Sequence, residues 1–285
     1  DAIWTKAWLI GGLAAQVAKP GDFFTYEIGR ESILVTHGED GRIRAFYNVC
    51  PHRGKRLVME EQGHSKRLAC SYHGWRFTAE GELNFVPCPE DFTGGSPCGK
   101  VRLEEVRSEV FAGFVWVNLD PDAAPLADHL GPVGPQIDLY KMEQMHRTHW
   151  VTLEGDWNWK CVQDNFNESY HLPFVHPQTR FVMEQSYKEC QFDLYAPHGH
   201  ARMFMPGSRP TRSLRGHTDT VLDMMRTELT YWGLDPEDFR EDPWATRAAI
   251  QQAKREKGAA KGYDFDHFHD AQLTDHFHYT IFPNI

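Results

Sequence analysis

Along the first part of the chain, short apolar or β-branched runs alternate with clusters of turn residues. An apolar start from Trp4 to Ile10 gives way to the turn Lys19-Pro20-Gly21-Asp22. Phe23–Ile28, Ser32–Thr36 and Ile43–Tyr47 then read as strands, divided by Gly29-Arg30-Glu31 and Gly38-Glu39-Asp40-Gly41 as hairpin loops. Arg76–Thr78 and Glu82–Phe85 flank a further hairpin signal, Ala79-Glu80-Gly81, and Arg102–Val106 and Val110–Asn118 complete the series. Many short strands at close spacing predict a small antiparallel sandwich or barrel-like module over residues 1–120, with a boundary where Pro and Asp accumulate between Asp120 and Pro125.

Beyond that point the pattern changes. Residues 126–155 carry little signal, apart from a strand expected at Trp150-Val151-Thr152-Leu153. A helix is predicted from Trp157 to about His171, capped by Asp156. Thr218–Trp232 and Pro243–Lys257 also read as helices, the second a solvated surface helix. His267-Phe268-His269 and His276-Phe277-His278 alternate histidine with aromatic rings, which suggests strands lining a pocket or sheet face rather than a further metal site. Mixed helices and strands after an all-β module give an α+β fold class, with a second domain over 121–285.

Composition adds boundaries. The 285 residues are 41% hydrophobic and 25% charged, an ordinary globular balance. A formal charge of −10 disfavours nucleic acid and anionic membrane as main partners. No apolar run approaches the roughly 20 residues of a membrane span, and no signal peptide is visible. Cys88, Cys98, Cys161 and Cys190 are scattered without a disulfide pattern, and Cys88 and Cys98 sit in a Pro- and Gly-rich stretch that reads as a surface loop. Free thiols point to a reducing cytoplasm.

The candidate chemistry begins with the other two cysteines. Cys50-Pro51-His52 and Cys70-Ser71-Tyr72-His73 are short loops, each supplying one thiolate and one imidazole. Such a set suits tetrahedral zinc or a two-iron, two-sulfide cluster with both histidines on one iron. Zinc modules usually pair two Cys in one loop and two His in another, so one of each per loop favours the cluster. Gly54 and Gly74 follow closely, permitting tight turns and offering amides to cluster sulfurs.

A second constellation lies in Asp156–Pro177. On a continuous helix Asp164, Glu168 and His171 share one polar stripe. His171 and His176 converge on one ion only if the helix ends between them, which Pro173 is expected to achieve. Two neutral histidines and a carboxylate describe the facial triad of non-haem Fe(II) oxygenases. An upstream electron carrier strengthens that reading, since iron oxygenases need electrons from outside.

CPHRG, CSYHGW, NFNESYH, the following HP and Phe282-Pro283-Asn284 together resemble the large subunit of the Rieske non-haem iron aromatic-ring-hydroxylating oxygenases. The resemblance implies an all-β Rieske domain followed by a helix-grip, START-like catalytic domain with an antiparallel sheet. It implies a [2Fe-2S] cluster with Cys50 and Cys70 on one iron and His52 and His73 on the other, and a mononuclear Fe(II) held by His171 and His176. Glu168 matches the acidic bridge to the cluster of a neighbouring subunit, where many relatives carry aspartate; glutamate is reminiscent of the branch acting on quaternary amines. Asp164 is a rival for that role, and Asn165 matches an asparagine beside the iron. The third iron ligand is an acidic residue downstream of Phe-Pro-Asn, expected beyond Ile285, with Asp266, Asp270 and Asp275 as poor substitutes. Phe166, Asn167, Leu172 and Phe204 are candidate pocket residues. The family uses O₂ and electrons from NAD(P)H delivered by a separate reductase, with or without ferredoxin, and assembles as a head-to-tail homotrimer, in some cases with a small β subunit. The implied activity is hydroxylation of an apolar, aromatic small molecule.

Overall fold

The computed structural model describes residues 3–283. The chain forms two compact units, one running to Trp150 and including Phe282, the other spanning Val151–Ile281.

The first unit is built on antiparallel strands: β1 (Leu9–Leu13), β2 (Asp22–Ile28), β3 (Glu31–His37), β4 (Ile43–Tyr47), β5 (Gln62–His64), β6 (Leu68–Ala69), β7 (Arg76–Phe77), β8 (Leu83–Phe85), β9 (Glu105–Phe111) and β10 (Phe114–Asn118). Seven of them form one sheet in the order β1-β10-β9-β4-β3-β2-β5, and β6-β7-β8 form a second, small sheet. The large sheet is apolar on both faces. Side chains alternate along a strand, so Phe23, Leu34 and Phe46 enter one core with Cys50, Cys70, Trp75 and Phe77. Their neighbours Phe24, Ile33, Val35 and Ala45 enter another with Leu9, Val115 and Val117. This explains why Ile33–Thr36 is buried without interruption.

Two details differ from the sequence reading. The expected strand Val110–Asn118 is a hairpin, because Ala112 and Gly113 both take positive φ (51° and 81°), the conformation of a tight two-residue turn. Only the glycine signalled it. And α1 (Leu126–Leu130) and α2 (Val133–Asp138) belong to the first unit rather than opening a second at 121. Leu126, Leu130, Val133 and Ile137 are buried, the Leu126 amide donates to Glu109 Oε1 at 3.1 Å, and Trp8 Nε1 donates to the Ala124 carbonyl at 2.9 Å.

In the second unit the helices are α3 (Trp159–Phe166), α4 (Leu172–Val175), α5 (Thr218–Tyr231), α6 (Thr246–Lys257) and α7 (Asp270–Thr274). Its sheet has the order β11 (Gln191–Tyr195), β12 (His200–Met205), β13 (His276–Thr280), antiparallel throughout. α5 and α6 lie close to their predicted ranges because each carries an apolar stripe: Val221, Met225 and Leu229 on one, Ile250 and Ala253 on the other, form a common core with Trp232. Leu172, Met183, Met203 and Met205 form a smaller core beneath α4. His276–His278 is a strand as expected; His267–His269 instead leads into α7. No strand forms at Trp150–Leu153, where Trp150, Val151 and Leu153 are all exposed. Among the described residues no helix is long and apolar enough to cross a membrane.

Candidate metal centres

The two Cys/His loops have the same backbone construction. The first is closed by a bridge between Val49 and Arg56, the second by the pairing of Ala69 with Arg76. In each, the cysteine amide donates to a carbonyl at the far end: Cys50 to Lys55 and Cys70 to Trp75, both at 2.8 Å. In each, the glycine amide returns to the cysteine carbonyl: Gly54 to Cys50 at 3.0 Å and Gly74 to Cys70 at 2.9 Å. Gly54 and Gly74 have φ of 68° and 70°, a turn that a β-carbon resists. The glycine amides thus close the turns, while the backbone amides of His52 and Arg53 favour the Cys50 thiolate.

This construction sorts the donors by type. Cys50 and Cys70 are buried side by side, unbridged by a disulfide. His52 and His73 sit together toward solvent, ring centroids 4.6 Å apart and planes at 71°. Burial, with the neighbouring Cys70, pushes the Cys50 thiol up in spite of the two amides. A buried Cys50 thiolate needs a cation beside it, which bound iron would supply. Partial desolvation, then the His73 and Arg53 charges, hold His52 below the usual histidine range, leaving the neutral ring that metal binding requires. A sulfur pair inside and an imidazole pair outside fit a flat two-iron cluster. Trp75, which sequence reasoning passed over, stacks on His52 with centroids 4.5 Å apart and planes at 6°.

The second centre departs from the predicted helix. Asn158, not Asp156, caps α3, accepting from the Lys160 amide at 3.0 Å, and the helix stops at Phe166. Asn167 fixes the break: its Nδ2 donates to the Gln163 carbonyl at 2.9 Å and to Thr280 Oγ1 on β13 at 2.7 Å. Glu168 therefore lies in the connecting turn, off any helical stripe. Asp164 and Asn165 remain on α3 with exposed side chains. A new helix, α4, starts after His171 with Pro173 in its first turn, where a missing N–H costs nothing. Pro173 thus begins a helix rather than ending one. His171 and His176 are its two caps, with rings 5.5 Å apart at 75°.

Glu168 organises this turn. One carboxylate oxygen, Oε2, accepts from the Tyr170 amide and from the His171 amide at 3.1 Å; the other, Oε1, accepts from His171 Nδ1. Burial works to raise this carboxyl, but those bonds outweigh it and hold Glu168 below the usual range, ionised at neutral pH. With Nδ1 as the donor, His171 presents Nε2 as a free lone pair, the tautomer a metal needs.

Among the described residues no three His, Cys, Asp or Glu are poised around one ion. Two of the three candidate substitutes for a third ligand are engaged elsewhere: Asp275 pairs with Arg247 at 3.0 Å, Asp270 with Arg255 at 2.9 Å. Of the candidate pocket residues, Leu172 is core, Asn167 is the anchor just described, Phe166 is exposed and stacks on His278 at 5.9 Å, and Phe204 stacks on Phe277 at 5.3 Å.

Comparison with known proteins agrees with this division of labour. Residues 7–104 match the Rieske [2Fe-2S] domain family, and residues 142–285 match the ring hydroxylating alpha subunit catalytic domain family. The large oxygenase component of the naphthalene 1,2-dioxygenase system of Pseudomonas putida is 38% identical over 182 residues, 61% of this chain and 40% of that protein. The carnitine monooxygenase oxygenase subunit of Escherichia coli (strain K12) is 34% identical over 183 residues, 62% of this chain and 48% of that protein. The matched segment thus spans less than half of these relatives' length. Among solved structures, a quaternary ammonium Rieske monooxygenase aligns with a TM-score of 0.65 at 25% identity, covering 75% of this chain and 58% of that one. A naphthalene 1,2-dioxygenase with indole bound in the active site aligns with a TM-score of 0.64 at 28% identity, covering 99% and 60%. The chain belongs to the alpha subunits of the Rieske non-haem iron, ring-hydroxylating oxygenases.

Proposed function

We propose that this chain is the catalytic part of a terminal oxygenase. The observation that carries the reading is the coexistence of two prepared donor sets: a Cys₂/His₂ pair of fingers, and two histidines of which one is oriented by an ionised carboxylate. When bound, the cluster supplies one-electron transfer and the mononuclear Fe(II) supplies O₂ activation, with electrons from NAD(P)H arriving through a reductase or ferredoxin.

The chain's own residues do the rest. Cys50 and Cys70 hold one cluster iron and His52 and His73 the other; His171 and His176 hold the mononuclear iron, completed by a carboxylate from outside the described residues. Glu168 keeps the His171 proton on Nδ1. Its Oε2 is filled by two amides, whereas among the described residues Oε1 accepts only from the His171 ring and retains a lone pair, with the side chain 39% exposed. That lone pair suits a donor from His73 of the partner subunit, which makes Glu168 the bridge between centres in a homotrimer, alone or with small β subunits. Asp164, the rival for the bridging role, and Asn165, the asparagine expected beside the iron, are both exposed on α3.

The substrate on this reading is an apolar, aromatic small molecule. A quaternary amine is the second reading, favoured by glutamate at position 168 and by the similarity to the carnitine monooxygenase. Iron and sulfide analysis tests the core of the proposal: about three irons and two sulfides per complete chain are expected. Cluster iron alone would make the protein an electron carrier, and zinc without sulfide would end the proposal. O₂ uptake with reductase, coupled to product mass for naphthalene and for carnitine, then separates the two substrate classes.

A further inference from the structure

His176 is the C-cap of α4, with φ −125° and ψ 55°, neither helical nor extended. A helix of one turn does not by itself fix the direction of such a residue. Its carbonyl is instead gripped from the segment downstream. The oxygen accepts from the Thr179 amide at 3.0 Å, from Thr179 Oγ1 at 2.9 Å and from Gln185 Nε2 at 3.2 Å. Gln185 Nε2 also reaches Thr179 Oγ1 at 2.8 Å, so the carboxamide and hydroxyl brace each other.

Gln185 is in turn anchored by its surroundings. It is 7% exposed, and it follows Glu184, which is 0% exposed. Glu184 Oε1 accepts from the amides of Gln185 and Ser186, each at 3.1 Å, and from the Thr211 hydroxyl. Glu184 Oε2 accepts from Arg209 Nη1 and from the Arg212 amide, each at 3.0 Å. A buried carboxylate bonded on every side is among the most rigid points a domain can offer. The chain thus runs from a fixed ionic hub, through one side chain, to the backbone of a candidate metal ligand.

We propose that Gln185 is a positioning residue for His176, fixing the ligand's backbone so that the His171–His176 pair is preorganised for a divalent metal ion. The inference rests on the reading of those histidines as ligands. Groups that orient metal ligands typically change metal affinity by ten- to a hundred-fold. A purely structural glutamine would lower stability without changing the affinity of the folded protein.

The test uses the full chain with its cluster loaded and the mononuclear site stripped, titrated anaerobically with Co(II) and followed by ligand-field absorption. Gln185→Met, of matching length but without donors, is expected to weaken Co(II) binding roughly tenfold while the cluster spectrum stays unchanged. Thr179→Val is expected to weaken it in the same direction, and Thr179→Ser, which keeps the hydroxyl, to restore wild-type affinity. The Thr179 pair carries the test if Gln185→Met does not fold, since Thr179 is only half-buried. Wild-type affinity in Gln185→Met, or in Thr179→Val, overturns the inference. His171→Ala and His176→Ala are the separate check on the ligand reading: both should abolish Co(II) binding, and retained binding refutes that reading itself.

Discussion

Replacing Arg209 by methionine isolates the energetics of the hub behind His176. Arg209 Nη1 donates to Glu184 Oε2 at 3.0 Å, with side-chain exposures of 9% and 0%. Methionine keeps most of the apolar stem but leaves a fully buried carboxylate with only the Thr211 hydroxyl and neighbouring amides as donors. Removing one partner of a buried ion pair costs about 3–5 kcal/mol, because the other charge is left uncompensated. The neutral donors that remain offset part of this, which places the loss near the lower end, about 3 kcal/mol. For a unit of this size that lowers the melting temperature by roughly 10 °C. The pH dependence has a definite sign. Burial alone would raise the Glu184 carboxyl; the Thr211 hydroxyl, the amides and the Arg209 charge bring it below the usual glutamate range. Stability from a depressed carboxyl is fully present above its unfolded value of about 4.3 and is lost as pH falls through the folded value. Without Arg209 the carboxyl is held down less, so the variant's deficit is largest near neutral pH and shrinks as the solution is acidified. The assay is thermal unfolding of wild type and variant by circular dichroism, from about pH 7 down to about pH 3. A deficit that is absent at neutral pH, or that does not shrink with acid, refutes the reasoning. The double variant Glu184→Leu/Arg209→Met should recover most of the loss, since an apolar pair replaces the ionic one.

Three further outcomes are expected. Glu168→Gln should retain both metals by elemental analysis yet lower coupled turnover roughly 100-fold, because the His171 ring loses its anionic acceptor; normal product formation per O₂ consumed would remove Glu168 from the mechanism. Gly81→Ala should destabilise the first unit by about 2–4 kcal/mol in thermal unfolding, since φ is 83° and a Cβ would meet the Phe46 ring at 2.6 Å; an unchanged melting temperature would show that Phe46 moves freely. Asn48→Leu should cost about 2 kcal/mol and loosen the first finger, because the buried Asn48 side chain donates to the Val58 carbonyl at 2.8 Å and accepts from the Val58 amide at 2.9 Å; the readout is the rate of cluster loss in chelator, which should rise.

The all-β first unit was legible because its signals are local. β2, β3 and β4 fall within a residue or two of the runs Phe23–Ile28, Ser32–Thr36 and Ile43–Tyr47, since each strand is bounded by turn residues that act on their own neighbours. The backbone of the two Cys/His fingers was legible for the same reason: each is closed by hydrogen bonds within itself, and its glycine takes the φ that the turn demands. What local reading missed there was the stacking of Trp75 on His52, a contact between the two fingers that neither loop's sequence encodes alone.

The second centre shows where such reading stops. The spacing of His171 and His176 predicts that the helix ends between them, at Pro173, the strongest local breaker; α4 instead fills that interval, and the break lies elsewhere. The structure puts it before Glu168, at Asn167, whose side chain bonds Thr280, 113 residues away. That partner is invisible to any window on the sequence. Once the break moves, the meaning of Glu168 changes as well. On a continuous helix it would present a carboxylate to solvent one turn below His171. In the turn it instead gathers two backbone amides and the ring of His171, so one side chain both builds the local backbone and selects the tautomer that exposes Nε2. Gln185 repeats the arrangement on the other histidine, from farther along the chain and with a neutral donor. Each candidate ligand is therefore steadied by neighbouring groups, His171 by Glu168 within the turn and His176 by Thr179 and Gln185 from downstream, and a change at Gln185 should alter metal binding before it alters the fold.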